Sequence, residues 1–189
     1  MIHNSLLKKF CFINEFDKHH ISNLDKNISI IYRNYSIDYK IKLIQKMRNY
    51  CRKEKRKFFI SNNIKLAIKL NLDGVYLPSF NQKLNTQNIN NNKKFLIIGS
   101  AHSIKEIKIK EKQGAEMIFL SPLFLTHKSN KFLNITKFNL ITLNTNKKII
   151  ALGGINLKNL NKLNILNTYG FAGISYFQNN DKINFLEKK

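Results

Sequence analysis

Short, continuous apolar runs recur eight times along this chain, and amphipathic stretches separate most of them. The runs fall at 9–14, 28–32, 57–61, 74–77, 95–100, 117–121, 148–152 and 170–175. Most are apolar throughout rather than alternating, the pattern of strands buried on both faces in a helix-covered parallel sheet. Between them, Ile41, Ile44 and Met47 recur at helical spacing inside 37–50, and a second helix is predicted over 64–70. A third, over 103–114, opens with Ser103, carries Glu106 at capping-box spacing, and closes on Gly114, which suits a C-terminal cap. Helices are also predicted over 157–166 and from Asp181 onward. Strand–helix alternation of this kind builds βαβ units, and eight strands favour a closed (β/α)8 TIM barrel over an open sheet. Such barrels usually take about 200 residues or more. A chain of 189 residues therefore implies a single domain, 1–189, with shortened loops.

Two stretches carry little signal. Residues 82–94 are Asn-rich where a helix after the fourth strand is expected, and 127–132 read as a polar loop. Neither resembles a domain linker. No apolar run approaches the roughly 18 residues of a membrane span. Lys8 and Lys9 interrupt the apolar start and no small-residue cleavage pattern follows, so a cytoplasmic protein without a signal peptide is expected. Cys11 and Cys51 form no C-x-x-C pair and are expected as buried free thiols. The five histidines, His19 and His20 among them, show no zinc-ligand spacing.

The formal net charge is +22, from 33 basic and 11 acidic side chains. A field of that sign attracts nucleic acid or anionic membrane. Lys, Asn and Ile are abundant throughout, however, and the lysines are dispersed: Lys40, Lys42 and Lys46 on one predicted helix, Lys105, Lys108, Lys110 and Lys112 on another. The only dense cluster, 52–57, reads as a helix end running into a strand, where cations suit the dipole. With no base-stacking aromatic motif beside the charge, compositional drift is the preferred reading and nucleic acid is not an expected partner.

Active sites of such barrels lie at the C-terminal ends of the strands, with a phosphate site after strands seven and eight. Strand seven runs into Gly153-Gly154-Ile155-Asn156, where paired glycines let backbone approach an anion and a helix start offers N–H groups. A tight turn needing positive φ accounts for the same glycines. Strand eight reaches Ile174 and Ser175. Arg33 ends strand two, where it suits a forked phosphate contact or a surface ion pair. Ser100-Ala101-His102 ends strand five; His102 suits a general acid or base, or a loop-capping role. After strand six, Thr126, His127 and Lys128 combine a hydroxyl with a cation.

At these strand ends the chain resembles the thiamine phosphate synthase superfamily, which includes thiazole tautomerase-type paralogues. Residues 62–78 (NNIKLAIKLNLDGVYLP) are similar to N-D-x-x-x-L-A-x-x-x-x-A-D-G-V-H-L-G, and 99–102 (GSAH) to G-V-S-x-H. Residues 114–126 (GAEMIFLSPLFLT) resemble G-A-D-Y-I-x-x-G-P-V-F-P-T; 151–156 (ALGGIN) and 170–177 (GFAGISYF) resemble the closing motifs. The resemblance implies a transferase that joins hydroxymethylpyrimidine diphosphate to thiazole phosphate and releases pyrophosphate, with Mg2+ and basic side chains holding the departing group. It implies that Gly154, Ile174 and Ser175 hold the thiazole phosphate, that Arg33 and Ser100 grip the pyrimidine diphosphate, and that Thr126 lies beside the phosphates. A homo-oligomer is compatible with this reading.

Departures from the pattern concern the diphosphate half. Of Q-x-R-x-K only Arg33 is kept, Asn62 and Asn81 stand where the metal-binding carboxylates belong, and the lysine of T-x-T-K is absent or shifted to Lys128. Magnesium prefers carboxylates plus substrate phosphates, and two neutral amides bind it more weakly. Two other functions stay open at this point. One is a tautomerase-type paralogue, in which a family histidine is replaced here by Pro122 and His102 would serve. The other is a phosphate-ligand binder that kept the barrel and lost the chemistry.

Overall fold

A computed structural model describes residues 7–35, 40–84, 94–127 and 129–178. Eight parallel strands close into a barrel in chain order: β1 (Lys8–Ile13), β2 (Ile28–Tyr32), β3 (Phe58–Ser61), β4 (Gly74–Leu77), β5 (Leu96–Ala101), β6 (Met117–Leu120), β7 (Lys148–Leu152) and β8 (Gly170–Gly173). Between them run α1 (Lys18–Asn23), α2 (Ile41–Lys53), α3 (Ile64–Lys69), α4 (Ile104–Lys112), α5 (Asn134–Thr142) and an unlabelled 3-10 segment, Leu157–Ile165. The seam closes by pairing Lys8 with Gly170 and Cys11 with Gly173. All eight apolar runs are strands.

Strand alternation divides the apolar side chains into two layers. Phe10, Phe12, Ile31, Phe59, Tyr76, Ile98, Phe119, Ile150 and Ala172 fill the barrel interior. The Phe119 ring meets Phe10, Phe12 and Tyr76 edge-on at 5.1, 5.8 and 5.7 Å between centroids, a favourable aromatic geometry. Intervening residues such as Ile30, Ile60, Ile97 and Ile118 face the helices and join their apolar stripes. Because both faces are covered, the strands look continuously apolar in sequence. Two residues beyond the interior layer, the same parity arrives at Arg33, Ser100, Ser121, Leu152 and Ile174, at the C-terminal rim.

The helices depart more from expectation. Helix α2 runs from Ile41 to Lys53, later than predicted, and residues 36–39 lie outside the described residues. Ser103 caps α4 by accepting from the Glu106 N–H, but the Glu106 carboxylate reaches the N–H of His102 rather than that of Ser103. The 157–166 helix is 3-10 rather than α. Helices α1 and α5 were not expected. The first spans only six residues, too short to display a period. The second begins at Asn134, in the left-handed region, whose side chain takes the Lys137 N–H. The helix expected in 82–94 and the one from Asp181 fall largely or wholly outside the described residues, though a helical turn starts at Ser175.

Within the basic cluster, Arg56 is buried rather than solvated. Its guanidinium donates to the carbonyls of Leu24 and Asp25, tying the start of β3 to the turn before β2. Cys11 and Cys51 are buried thiols that form no disulfide among the described residues, and burial pushes Cys51 up to about 12. Among the described residues, no helix is long and apolar enough to cross a membrane.

Candidate active site

Arg33 leaves β2 half-buried at the barrel mouth. Its guanidinium lies over the Phe12 ring, 5.9 Å from the centroid, and Nη2 is 3.5 Å from Asn14 Oδ1. The position keeps a cation over an apolar floor with free donors for an anion. Beside it, Tyr35 packs edge-on against Phe80, both exposed, at 5.4 Å.

Asn62 follows β3 in the left-handed region, at φ 60°, a conformation that asparagine tolerates. Its side-chain oxygen accepts from Asn81 Nδ2 at 2.7 Å, so the two positions implied as metal ligands do meet. They meet as an amide pair joined by a single hydrogen bond. Asn81 Oδ1 in turn accepts from the Lys83 N–H at 3.0 Å and lies 3.4 Å from Gln113 Nε2.

One of the lysines dispersed along the predicted 103–114 helix holds this loop from below. Lys110 is fully buried, and its ammonium donates to the Pro78 carbonyl (2.8 Å), the Asn81 carbonyl (2.7 Å) and Gln113 Oε1 (2.9 Å). Three acceptors match the three donors of an ammonium. Its stem passes Gly99, where an added Cβ would sit 2.7 Å from Lys110 Cδ. Desolvation brings the Lys110 pKa down to about 8, against the opposing pull of Glu106. One clue was available: Lys110 follows Ile107 by three residues, on the apolar face of α4.

On β5, Ser100 is buried and its hydroxyl bonds to the Tyr76 phenol, whose pKa burial raises. Ser100 therefore lies just beneath the rim. His102 is exposed on the rim itself: Nδ1 is 2.8 Å from the Ser121 carbonyl and Nε2 is 3.2 Å from Ser79 Oγ. Sequence reasoning singled out neither Ser79 nor Ser121.

Gly153 and Gly154 adopt φ of 95° and 70°. A Cβ on Gly153 would meet Pro122 at 2.9 Å, and one on Gly154 would meet the Leu125 carbonyl at 2.4 Å. The loop after β6 crosses so close that packing alone calls for glycine here. At the start of the 3-10 segment, the N–H groups of Lys158 and Asn159 go to Asn156 Oδ1 and that of Asn156 to Asn159 Oδ1. Donors expected to face an anion are thus engaged by asparagine side chains. Ile174 packs half-buried on the interior cluster, while Ser175 is exposed at the first position of the closing helical turn. Since β7 pairs with β8, these glycines and Ser175 share one stretch of rim. Thr126 is half-buried in a short bridge to Ser129, and Lys128 lies outside the described residues.

The donor set at Asn62 and Asn81 does not fit a magnesium site. Both amide oxygens already accept hydrogen bonds, neither carries charge, and a hard dication favours carboxylates. Among the described residues no group of three His, Cys, Asp or Glu could hold a metal. At the opposite, N-terminal end of the barrel lies a shallow basic hollow of about 240 Å3 lined by Lys26, Lys53, Glu54 and Lys55. It is far from the strand ends that carry the site.

Comparison with known proteins bears on the family and the fold. A family model described as thiamine monophosphate synthase matches residues 24–177. The thiamine-phosphate synthase of Pelagibacter ubique is 30% identical over 205 residues, covering 99% of this chain and 97% of that protein. A protein of Aquifex aeolicus, provisionally named thiamine-phosphate synthase 2, is 33% identical over 140 residues, 72% of this chain and 74% of its own length. Among solved structures, thiamine phosphate pyrophosphorylase from Pyrococcus furiosus superposes with a TM-score of 0.73 at 19% identity, over 91% of this chain and 87% of the other, which supports the fold. The family match spans most of the chain: this protein belongs to the thiamine monophosphate synthase family.

Proposed function

We propose that the chain couples hydroxymethylpyrimidine diphosphate to thiazole phosphate and releases pyrophosphate. Its family is one of transferases that make thiamine phosphate, and the reading follows from that membership. The observation that carries it is the gathering of Arg33, Ser100, Asn62 and Asn81 on one arc of the rim and Gly154, Ile174 and Ser175 on another. Two separate arcs are thereby offered to two anionic groups above an aromatic floor.

In this reading the Arg33 guanidinium, with the Ser100 hydroxyl below it, grips the diphosphate. Backbone at Gly154 and Ile174, with Ser175, holds the thiazole phosphate, and Thr126 and Lys128 lie beside the phosphates. The work is mainly orientation and stabilisation of charge as pyrophosphate leaves and the thiazole nitrogen captures the pyrimidine-stabilised cation. Magnesium has no protein-held carboxylate site in this reading. The partners are the two phosphorylated small molecules and the setting is the cytoplasm; neither nucleic acid nor membrane takes part.

The test is pyrophosphate release from the two substrates across a magnesium series. Formation of thiamine phosphate is expected. Calorimetric binding of thiazole phosphate with no product at any magnesium concentration would instead make the chain a non-catalytic binder.

A further inference from the structure

The His102 ring is held in a geometry that favours one tautomer. Nδ1 faces the Ser121 carbonyl at 2.8 Å. A carbonyl oxygen only accepts, so Nδ1 carries its proton whether the ring is neutral or charged. Ser121 Oγ, 3.2 Å from the same nitrogen, completes the seat. In the neutral ring Nε2 is therefore a lone pair, and it faces Ser79 Oγ at 3.2 Å. When the ring is charged, Nε2–H points at the Ser79 oxygen and the hydroxyl proton turns outward. The backbone that carries the ring is held as well, because the Glu106 carboxylate accepts the His102 backbone N–H at 2.8 Å. Ser79 is fixed too: its loop is clamped by Lys110 at the carbonyls of Pro78 and Asn81.

Three successive strand ends thus contribute a hydroxyl, an imidazole and a carbonyl in line: Ser79 after β4, His102 after β5, Ser121 after β6. A base oriented by one acceptor and touching one hydroxyl is the arrangement that activates or relays a proton. It borders Asn81, where the charge that a carboxylate-bound metal would bring to a departing diphosphate is missing.

We propose that Ser79 and His102 form a proton relay that protonates the departing diphosphate; the proposal rests on the synthase reading above. The bond between the pyrimidine methylene and the diphosphate oxygen breaks, and its electron pair stays on that oxygen. Ser79 gives its hydroxyl proton to the diphosphate and takes one from Nε2 of the His102 imidazolium. His102 is left neutral, with Nδ1–H still on the Ser121 carbonyl, and regains its proton from solvent at the exposed rim. The thiazole nitrogen then forms the new carbon–nitrogen bond and takes the positive charge. Among the described residues, charged and titratable groups on the elements around the relay include Glu106 and Lys110 on α4, Tyr76 on β4 and Arg33 at the end of β2; β6 is followed by the neutral Ser121.

Two measurements test it. The first is the pH dependence of kcat and KM for pyrophosphate release in the wild type, Ser79→Ala and His102→Gln. Loss of a general acid predicts kcat lower by about 100-fold in both variants with KM little changed. Whatever pH dependence of kcat the imidazole confers on the wild type should vanish in His102→Gln. A wild type that turns over while both variants keep its kcat and pH profile overturns the relay and leaves the synthase reading standing, as does a change confined to KM. An inactive wild type overturns both. The second is 15N NMR of the imidazole, independent of turnover. The Nδ1–H tautomer is expected in the neutral ring, with an Nε2 shift that moves in Ser79→Ala. An Nε2–H tautomer, or an Nε2 signal indifferent to Ser79, overturns the relay whatever the activity.

Discussion

The side chain of Asn81 donates to the side chain of Asn62 across 2.7 Å, so the rim closes on itself at the place where a pair of carboxylates would open toward a cation. Two carboxylates so close need a cation to offset their repulsion, whereas two amides need only each other. The combined variant Asn62→Asp, Asn81→Asp should therefore convert a self-contained contact into a metal-dependent one. In chelator it should be less stable than the wild type by roughly 1–2 kcal/mol, from a lost hydrogen bond and added like-charge repulsion. Magnesium should raise its Tm by several degrees and leave the wild-type Tm unmoved. Equal magnesium responses in thermal melts would count against this account of the pair.

Lys110 offers a pH signature. Its native pKa of about 8 lies below the ordinary lysine value, so between pH 8 and about 10.5 the unfolded chain binds more protons than the folded one. The Lys110 contribution to stability therefore rises with pH across that window and is lost as pH falls through 8. Cys51 and Tyr76, whose values are raised, act oppositely at higher pH, so the difference between wild type and Lys110→Met isolates the lysine. That difference should grow with pH over the window in urea denaturation. Lys110→Met should also cost about 1–3 kcal/mol at neutral pH, because it strips the donor from three buried acceptors.

Gly154 is constrained twice, by φ of 70° and by the Leu125 carbonyl at 2.4 Å from a would-be Cβ. Gly154→Ala should destabilise the fold by at least about 2 kcal/mol, the left-handed cost plus steric displacement of the β6 loop. Chemical denaturation without any ligand checks this, and an unchanged midpoint would show that the loop yields freely.

Arg33 should act on one substrate only. Arg33→Ala removes a charge-assisted contact of about 1.5–3 kcal/mol and should raise KM for the pyrimidine diphosphate roughly 10- to 100-fold. KM for thiazole phosphate should change little. A rise of similar size for both substrates would mean that Arg33 shapes the mouth as a whole.

Much of the barrel was legible because its physics is local. Strands such as 28–32, 74–77 and 148–152 declare themselves, since burial on both faces forces apolar residues at every position. The end of β8 was misplaced because Ile174 and Ser175 are apolar or neutral enough to extend a strand, yet the backbone bends there into a helical turn. Helix α5 was missed although Ile135, Phe138 and Ile141 keep helical spacing: its Thr and β-branched residues are weak helix formers, and packing of Phe138 sustains it instead.

The site was legible only as far as single residues mark strand ends. Arg33, Ser100 and His102 follow the barrel rule, and the Asn62–Asn81 pair followed from the resemblance. Their conversation with hidden partners was not. Nothing in one-dimensional spacing tells that Gly99 leaves room for the Lys110 stem, or that Ser121 presents its carbonyl as well as its hydroxyl to the His102 ring.

The seam that joins β1 to β8 also sets the polarity of any handle attached to the protein. Chain direction brings Lys8 into the barrel at its N-terminal end, beside Gly170 and away from the rim that carries the candidate site. A dye or a solid support coupled ahead of β1 therefore leaves the opposite end facing solution, where immobilised enzyme would meet its substrates.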